Sequence, residues 1–576
     1  MSVETGDIVS RVYGGFRGAD FRGEEINLIR SPDCLNVWKD YKFTESIRTR
    51  PGVKLHTAFT DKIYGVYFYK GFMIVHSGTK LYKVANGVKT ELKSGVEARI
   101  SNAFIYDDIW YFKDGKHYWQ YNGTTVTDVV GFIPTTSIGR KPSGGGTVHQ
   151  DVNMLSDYRI NTFLADGDAV TNKGSLDYYL DVMNIDEVVE VKVDDKVVTN
   201  YTVDKEEGCV RFLANAPVAP KTDGQDNVSI KFKKHVEGYR DHILNCTMLQ
   251  VFDNRVFFSG NPDYPSTLWH CSLNDPSYCS DLDYYREGMD DAAIKGMVAG
   301  NNALWVFREP SEANTNVFYH TPTIDDQYGK IYPSSHSSIT IGCVGKAINF
   351  NDDIIFFSER GMEGISGDIT TEQMAAHRSS LADRKMISDA EYKNMVLEEW
   401  EGYLLIFLGN KVFLADSRTI FTNENHIEYE FFYWELDRAV TCARVYDGVL
   451  YMGTEDGIYT MTTKTADGKY TVNSDPTGNI TSYWVTPIDK FKVPHKLKTT
   501  NKRGCVVEAT GDIDLYAKLE DTDFELIGSY RNITDYFVSR IKRKKFKDIQ
   551  LKFYSDTGFS LETATMECFV GGYIKR

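Results

Sequence analysis

The stretch Ile348-Asn-Phe-Asn-Asp-Asp-Ile-Ile-Phe-Phe357 decides how the rest of this chain is interpreted. It predicts a strand, a two-residue polar turn at Asp352-Asp353, and a strongly apolar second strand that begins at Ile354. Aspartate tolerates left-handed backbone, and the β-branched and aromatic residues on both sides favour paired strands. The stretch therefore predicts an antiparallel β-hairpin.

The same pattern recurs six more times, at Tyr67–Val75, Ile105–Phe112, Val251–Phe258, Val298–Phe307, Trp400–Phe407 and Val445–Met452. The turn centres are separated by about 37, 146, 48, 51, 49 and 46 residues, and propeller blades repeat every 40 to 50 or so. The chain is thus predicted to be all-β, a β-propeller of about seven blades, with roughly 100 inserted residues in the one long gap.

Two further regions alternate apolar and polar residues with the period of a half-buried strand. Val188–Val193, Cys209–Leu213 and Val228–Phe232 predict an inserted β-sandwich over residues 140–240. Ile513–Leu519 and Ile549–Tyr554 predict a C-terminal β-sandwich over 470–576. The predicted domains are an N-terminal arm (1–60), a first propeller segment (61–139), the insertion (140–240), a second propeller segment (241–469) and the C-terminal domain (470–576).

One helix is predicted within the propeller, over Thr370–Met386, where Met374 and Leu381 form a weak apolar stripe. It would decorate one rim of the propeller.

The 576-residue chain has a net charge of −16, from 65 basic and 81 acidic residues. This balance disfavours a protein that reads nucleic-acid sequence. The basic run Arg540–Lys547 is interpreted as a solvated strand edge or a subunit contact. The nine cysteines are scattered without a CxxC pair, which indicates a reduced protein assembled in the cytoplasm. No signal peptide is expected, and apolar runs such as Tyr403–Leu408 are too short for membrane insertion.

No catalytic or phosphate-binding motif is present, so we predict a non-enzymatic protein with no catalytic residues, no cofactor and no metal. His270-Cys271 and Cys279 lack the spacing of a zinc site. His377-Arg378 is interpreted as an interface or surface pair. Trp269, Trp305, Trp400 and Trp434 are expected in the core, with a sugar-stacking platform as the alternative.

Paired acidic residues are the remaining candidates for chemistry, because a propeller glycosidase needs two or three converging carboxylates. Asp107-Asp108 and Asp352-Asp353 are interpreted as turn residues. For Asp290-Asp291 the sequence leaves a turn and a site equally open. The other acidic groups are Asp281 with Asp283, and Asp325-Asp326.

Several short motifs resemble a known group of proteins. Ser31-Pro-Asp-Cys-Leu-Asn-Val-Trp38 followed by Arg48-Thr-Arg-Pro-Gly52 is similar to the opening of the tail-nozzle and tail-stabilisation (tail hub) proteins of short-tailed bacteriophages. Asn254–Pro262 with Trp269–Pro276, and the closing Gly571-Gly-Tyr-Ile-Lys575, are similar to their middle and end.

The resemblance implies a β-propeller platform in a homo-oligomeric ring, usually of six copies, below the portal and adaptor. Such a virion tail protein would form or close the DNA-ejection channel and contact other tail proteins. The genome would pass without sequence-specific binding, as an acidic surface allows. The alternatives are a propeller glycosidase acting on host polysaccharide, and a host-glycan receptor-binding tail protein without catalysis.

Overall fold

The computed structural model of the protein describes residues 5–23, 26–41, 46–312, 315–326, 329–366, 374–388, 392–423, 426–465, 468, 470, 474–541 and 545–574. The chain divides into two compact units. Unit 1 comprises Met1–Ile100, Asn314–Val317 and Ser337–Arg576, and unit 2 comprises Ser101–Ala313 and Phe318–His336.

Seven four-stranded antiparallel sheets confirm the predicted all-β, β-propeller fold class. We number these blades in chain order. Blades 1, 5, 6 and 7 lie in unit 1; blades 2 and 3 and nearly all of blade 4 lie in unit 2.

The strands of the first four blades are as follows. Blade 1 contains Ile63–Tyr69, Phe72–Ser77, Lys80–Ala85 and Val88–Ser94; blade 2 contains Asn102–Tyr106, Ile109–Lys113, Tyr118–Tyr121 and Val126–Asp128; blade 3 contains Met248–Phe252, Arg255–Ser259, Thr267–His270 and Tyr284–Arg286; blade 4 contains Ile294–Gly300, Ala303–Arg308, Val317–His320 and Ser334–His336.

The last three blades follow the same plan. Blade 5 contains Ala347–Phe350, Asp353–Ser358, Gly361–Ser366 and Met374–His377; blade 6 contains Val396–Trp400, Tyr403–Leu408, Lys411–Asn423 and His426–Glu435; blade 7 contains Cys442–Tyr446, Val449–Gly453, Gly457–Met461 and the N-terminal strand Val53–Ala58.

The first hairpin of every blade turns through two residues with positive φ, between 45° and 81°, which is the geometry of a type I′ turn. These turns are Lys70-Gly71, Asp107-Asp108, Asp253-Asn254, Asn301-Asn302, Asn351-Asp352, Glu401-Gly402 and Asp447-Gly448. The repeated hairpin that the sequence predicted is thus present in all seven blades.

The turn of blade 5 lies one residue earlier than predicted. Phe350 pairs with Asp353, so Asn351 and Asp352 form the turn and Asp353 begins the second strand. Asn351, Asp352 and Asp353 all suit a turn, and only the burial of the Asp353 side chain selects between the two registers.

The first strand is the innermost strand of each blade. First strands of adjacent blades contact each other within unit 1, between blades 6 and 7 and between blades 7 and 1. Within unit 2, the first strand of blade 3 contacts the first strands of blades 2 and 4. The second strands of blades 4 and 6 are completely buried, since every residue of Ala303–Arg308 and Tyr403–Leu408 is buried.

The insertion packs a six-stranded sheet and a three-stranded sheet around one core that contains Phe163, Tyr178, Val210 and Phe232. The first sheet contains, in spatial order, Thr147–Val148, Thr135–Arg140, Tyr158–Phe163, Val228–Lys233, Glu187–Val193 and Lys196–Val197. The second contains Asp177–Tyr179, Cys209–Phe212 and Tyr201–Asp204. This is the inserted β-sandwich.

The strand pairing shows where the predicted N-terminal arm over residues 1–60 packs. Residues 8–49 contribute four strands to an 11-stranded sheet with the C-terminal region, which we call the terminal sheet. Val53–Ala58 instead pairs with Gly457–Met461 and completes blade 7. Apart from the local pairing of Val37–Trp38 with Ile47–Thr49, these pairings join residues about 400 or more apart along the chain, and local periodicity carries no information about such partners.

The terminal sheet is built on the 24-residue strand Lys496–Leu519, which changes partners along its length. Its other strands are Ile8–Gly14, Cys34–Leu35, Val37–Trp38, Ile47–Thr49, Ser482–Val485, Glu525–Ile533, Tyr536–Ser539, Lys545–Phe546, Ile549–Ser555 and Phe559–Tyr573.

The predicted helix over Thr370–Met386 is wrong where the structure describes it. Met374–His377 is the outer strand of blade 5, and only Asp383–Met386 is helical; residues 370–373 lie outside the described residues. The apolar stripe was weak, and pairing with Gly361–Ser366 overrides helix propensity. Tyr239–Leu244 is the other described α-helix, and Tyr392–Asn394 forms a 3₁₀ turn. Two short hairpins pair Thr323–Asp325 with Gly329–Ile331 and Ser474–Asp475 with Gly478–Asn479.

Candidate functional site

Two residues of the N-terminal motif, Asn36 and Arg50, meet at a buried node in unit 1 that is centred on Arg50. The Arg50 side chain is 1% exposed. Its Nε donates to Asn36 Oδ1 at 2.9 Å, and Nη1 donates to Asp475 Oδ1 at 2.9 Å. Nη2 donates to the Glu435 carbonyl at 2.9 Å and to the second Asp475 oxygen. Arg50 therefore joins the N-terminal segment to the end of blade 6 and to the hairpin that follows blade 7.

Asn36 is the second member of this node. Its backbone is left-handed, with φ of 54°, a conformation that asparagine tolerates better than most residues. Its Nδ2 donates to the Thr481 carbonyl at 2.8 Å, and its Oδ1 accepts from the Glu435 amide at 2.8 Å. The single side chain thus satisfies backbone groups of both the terminal sheet and blade 6.

Ser31 and Gly52 fix the two ends of the motif. The Ser31 hydroxyl donates to the Val485 carbonyl at 2.7 Å, and the Val485 amide donates back at 3.2 Å. At Gly52 a Cβ would lie 2.0 Å from the Ser474 carbonyl oxygen, so no larger residue fits. We call residues 31–52, held in this way, the strap.

An aromatic cluster lies beneath the strap. Trp38 stacks on Trp400 with ring centroids 5.5 Å apart and meets the edge of Trp434 at 5.7 Å. Trp434 Nε1 donates to the Val37 carbonyl at 3.0 Å. Trp400 and Trp434 are at most 2% exposed, so they belong to the core rather than to a sugar platform. Trp305, at 1%, is also a core residue.

The acidic pairs divide into turn residues and buried ion pairs. Asp107-Asp108 forms a turn, as predicted. Asp353 was interpreted as a turn residue, but its carboxylate accepts from Arg378 Nε at 2.8 Å and from the Tyr429 hydroxyl at 2.9 Å. Arg378 is 4% exposed, so it is not the surface residue that the sequence suggested.

Adjacent substitutions separate these two roles. We expect Asp352→Asn to change the free energy of unfolding by no more than about 0.5 kcal/mol, because asparagine suits the same turn. We expect Asp353→Asn to cost about 2–3 kcal/mol, because it weakens charged hydrogen bonds and leaves Arg378 buried without a counter-ion. Urea titration of both variants checks this; equal stabilities would contradict it.

Asp290 and Asp291 also have structural partners. Asp290 accepts from the Ser266 hydroxyl, and Asp291 accepts from Arg308 Nη2 at 2.6 Å. The Arg308 side chain is fully buried, whereas that of Asp291 is 47% exposed. The two carboxylates thus support neighbouring backbone and side chains. Asp325 ends a short strand and Asp326 follows it.

The structure places His270, Cys271 and Cys279 in buried positions without assembling a metal site. Among the described residues no group of three or more His, Cys, Asp or Glu side chains has a metal-binding arrangement. Burial lowers the pKa of His270 to about 4 and raises the pKa of the Cys271 thiol to about 12. A neutral imidazole and a protonated thiol are core groups here.

His377 lies on the outer strand of blade 5, between two carboxylates. Its Nδ1 donates to Glu363 Oε1 at 3.3 Å, and Nε2 donates to Asp383 Oδ2 at 2.5 Å. Burial alone would lower the pKa of His377, but the two carboxylates outweigh it and raise the pKa to about 10. Both ring nitrogens are donors, so the group is a fixed cation rather than a general base.

The His377 cluster predicts a stability difference that depends on pH. Because the folded-state pKa lies above the unfolded value of about 6.5, the contribution is complete below that pH and is lost as pH rises to about 10. At a pH of about 6 we expect the melting temperature of wild type to be higher than that of His377→Gln. The difference between the two melting temperatures should shrink steadily toward pH 10. Thermal melts of both proteins across this range are the measurement; a gap that does not change with pH would contradict the assignment.

The first strands of the seven blades carry few acidic side chains. The seven strands, all within the described residues, contain only Glu398 and Glu399. Consecutive strand residues point to opposite faces, so these two do not converge. The Glu398 carboxylate has a structural partner, because its Oε1 accepts a hydrogen bond from the Val445 amide at 2.9 Å.

The basic run Arg540–Lys547 lies partly outside the described residues, which omit 542–544. Lys545–Phe546 pairs with Lys498-Thr499 in the terminal sheet. Arg540 and Lys545 also line a cavity of about 310 Å³ with Leu526. The interpretation of the run as a strand edge or a subunit contact stays a prediction.

No helix among the described residues has the length and apolar character needed to cross a membrane.

Comparison with known proteins adds little beyond the fold. No family model and no curated protein matches the chain. Similar solved structures include BamB from Moraxella catarrhalis, 12% identical over 71% of this chain and 96% of that one, with a TM-score of 0.32. They also include PorZ from Porphyromonas gingivalis, 11% identical over 86% and 75%, TM-score 0.24. An exo-beta-1,3-galactanase from Phanerochaete chrysosporium is 7% identical over 55% and 94%, TM-score 0.20. At these scores the similarities carry no argument about function.

Proposed function

We propose that this chain is a non-enzymatic structural component of a phage tail, a nozzle or hub ring that forms or closes the DNA-ejection channel below the portal and adaptor. The observation that carries the proposal is the strap. Three residues of the first motif are buried and hydrogen-bonded: Asn36 and Arg50 bond each other in the node, and Ser31 bonds Val485 at the start of the strap. Their role is architectural, as expected of motifs that a structural family shares.

Two further observations favour this function over a glycosidase. The innermost strands lack a converging pair of carboxylates. The net charge of −16 also suits a DNA conduit, because an acidic surface does not retain the passing phosphate backbone. On this proposal the protein assembles in the host bacterial cytoplasm and is carried in the virion tail. There it forms a homo-oligomeric ring, usually of six copies, and contacts the portal-adaptor and other tail proteins.

Assembly and hydrolysis can be tested on the same purified chain. We expect mass photometry to show ring-sized particles when the chain is mixed with its portal-adaptor complex. We expect no release of reducing sugar from host polysaccharide. Reducing-sugar release that is abolished by Glu398→Gln would overturn the proposal in favour of the glycosidase. A chain that stays monomeric with the portal-adaptor complex present would also contradict it.

A further inference from the structure

A small aromatic cavity lies on blade 3 in unit 2. It has a volume of about 230 Å³ and is lined by Met154, Tyr239, His242, Tyr264, Thr267, Trp269, Asp281, Tyr284 and Arg286. Pockets for drug-sized ligands have volumes of about 300–1,000 Å³, so this cavity suits a ligand of about one ring.

Two elements place these side chains together. Trp269 pairs with Tyr284 and Thr267 pairs with Arg286 across the outer strands of blade 3. Residues two apart on a strand share a face, so all four lie on one side of the sheet. The helix Tyr239–Leu244 supplies Tyr239 and His242, which are three residues apart and therefore on one helix face.

The aromatic groups form a floor and walls. Trp269 is 3% exposed and the His242 ring stacks over it with centroids 5.8 Å apart, so Trp269 is a core residue that supports the base of the cavity. Tyr264 meets Trp269 edge-on at 5.8 Å and meets His242 at 4.8 Å. Tyr264 is 39% exposed and Tyr284 is 43% exposed, so large aromatic surfaces remain available to a ligand.

Polar groups at the cavity retain hydrogen-bonding capacity. The Tyr239 hydroxyl donates to Asp281 Oδ2 at 3.2 Å, and the backbone amide of Asp281 also donates to its own carboxylate. Burial raises the pKa of Asp281. Arg286 is exposed and has no ion-pair partner within the described part of the chain. One acceptor and one donor group are thus available at the cavity.

We propose that this cavity binds one residue of a saccharide. A pyranose ring combines an apolar C–H face, which packs on aromatic rings, with hydroxyl groups that both donate and accept hydrogen bonds. The cavity offers aromatic surface for the C–H face and polar groups for the hydroxyls, and its volume matches one sugar ring. Charges of both signs lie at or near the cavity, Asp281 and Asp151 against Arg286 and Arg159, which suits a neutral sugar better than a ligand with a net charge. The inference goes beyond the proposed function, since ring assembly does not depend on it.

The test uses the full chain and a panel of free sugars, namely glucose, galactose, mannose, N-acetylglucosamine and their disaccharides. Saturation-transfer NMR should show transfer from the protein to the C–H protons of at least one sugar. Tyr264→Ala and Asp281→Asn should each weaken that binding by about tenfold, the effect of one aromatic contact or one charged hydrogen bond.

Two controls match these variants. Tyr536→Ala removes an exposed tyrosine from the terminal sheet, and Asp195→Asn removes a carboxylate from a hairpin turn in the insertion. Neither should change sugar binding, and thermal melts should show that both pocket variants remain folded. Three results would overturn the proposal: no sugar binds, binding survives both pocket substitutions, or adenosine or a phenylalanine tripeptide binds this cavity while the sugars do not. None of these results bears on ring formation, so the two proposals fail separately.

Discussion

Arg50→Met is expected to lower the free energy of unfolding of unit 1 by about 3–5 kcal/mol, because removing one partner of a buried ion pair leaves the other charge uncompensated. The Asp475 side chain is 7% exposed and would lose both of its guanidinium hydrogen bonds. Asn36 Oδ1 and the Glu435 carbonyl would lose a donor as well. Urea titration, followed by hydrogen exchange of the strand Cys34–Leu35, measures the loss at the strap itself.

Two companion variants sharpen this prediction. Arg99 is exposed, so the free energy of unfolding of Arg99→Met should lie within about 0.5 kcal/mol of the wild-type value. Adding Asp475→Leu to Arg50→Met should recover part of the lost stability, because no buried charge then remains unpaired. A double variant less stable than Arg50→Met alone, or a single variant that costs under about 1 kcal/mol, would show that the strap is not held by this ion pair.

Trp38→Ala is the second large effect, with an expected cost of about 3–5 kcal/mol. Trp38 is 3% exposed and contacts Trp400 and Trp434, both of blade 6. Its removal leaves a cavity between rings that cannot close over it, and it also forfeits the aromatic contacts.

The matched control for Trp38→Ala is Tyr536→Ala, which removes an aromatic ring that is 61% exposed and should cost no more than about 0.5 kcal/mol. The midpoints and slopes of the urea unfolding curves of the two variants distinguish the loss of a buried core ring from the general effect of removing any aromatic ring. Equal midpoints would contradict the assignment of Trp38 to the core that joins the strap to blade 6.

The propeller was predictable because its signal is local. Turn pairs such as Glu401-Gly402 and Asp447-Gly448 adopt positive φ for reasons contained in two residues, and the apolar strands beside them repeat at a nearly constant spacing. The position of the blade 5 turn was wrong by one residue because the choice depends on Arg378, 25 residues beyond Asp353.

The strap was not predictable in the same way. The sequence marked Ser31–Trp38 and Arg48–Gly52 as unusual, but their partners, Glu435, Asp475 and Thr481, lie about 400 residues away. The closing strand Val53–Ala58 was missed for the same reason. The aromatic cavity was missed because its members come from the helix Tyr239–Leu244, two strands and three loops, and only Trp269 had drawn attention as a ring that could meet a sugar.

The central proposal, a ring-forming tail protein rather than an enzyme, is tested most directly by cryo-electron microscopy of the intact particle. Averaging of the tail should place this chain in a closed ring directly below the portal and adaptor, with the DNA path through its centre. Particles that lack the chain, or that carry it as single copies at the tail periphery, would contradict the proposal.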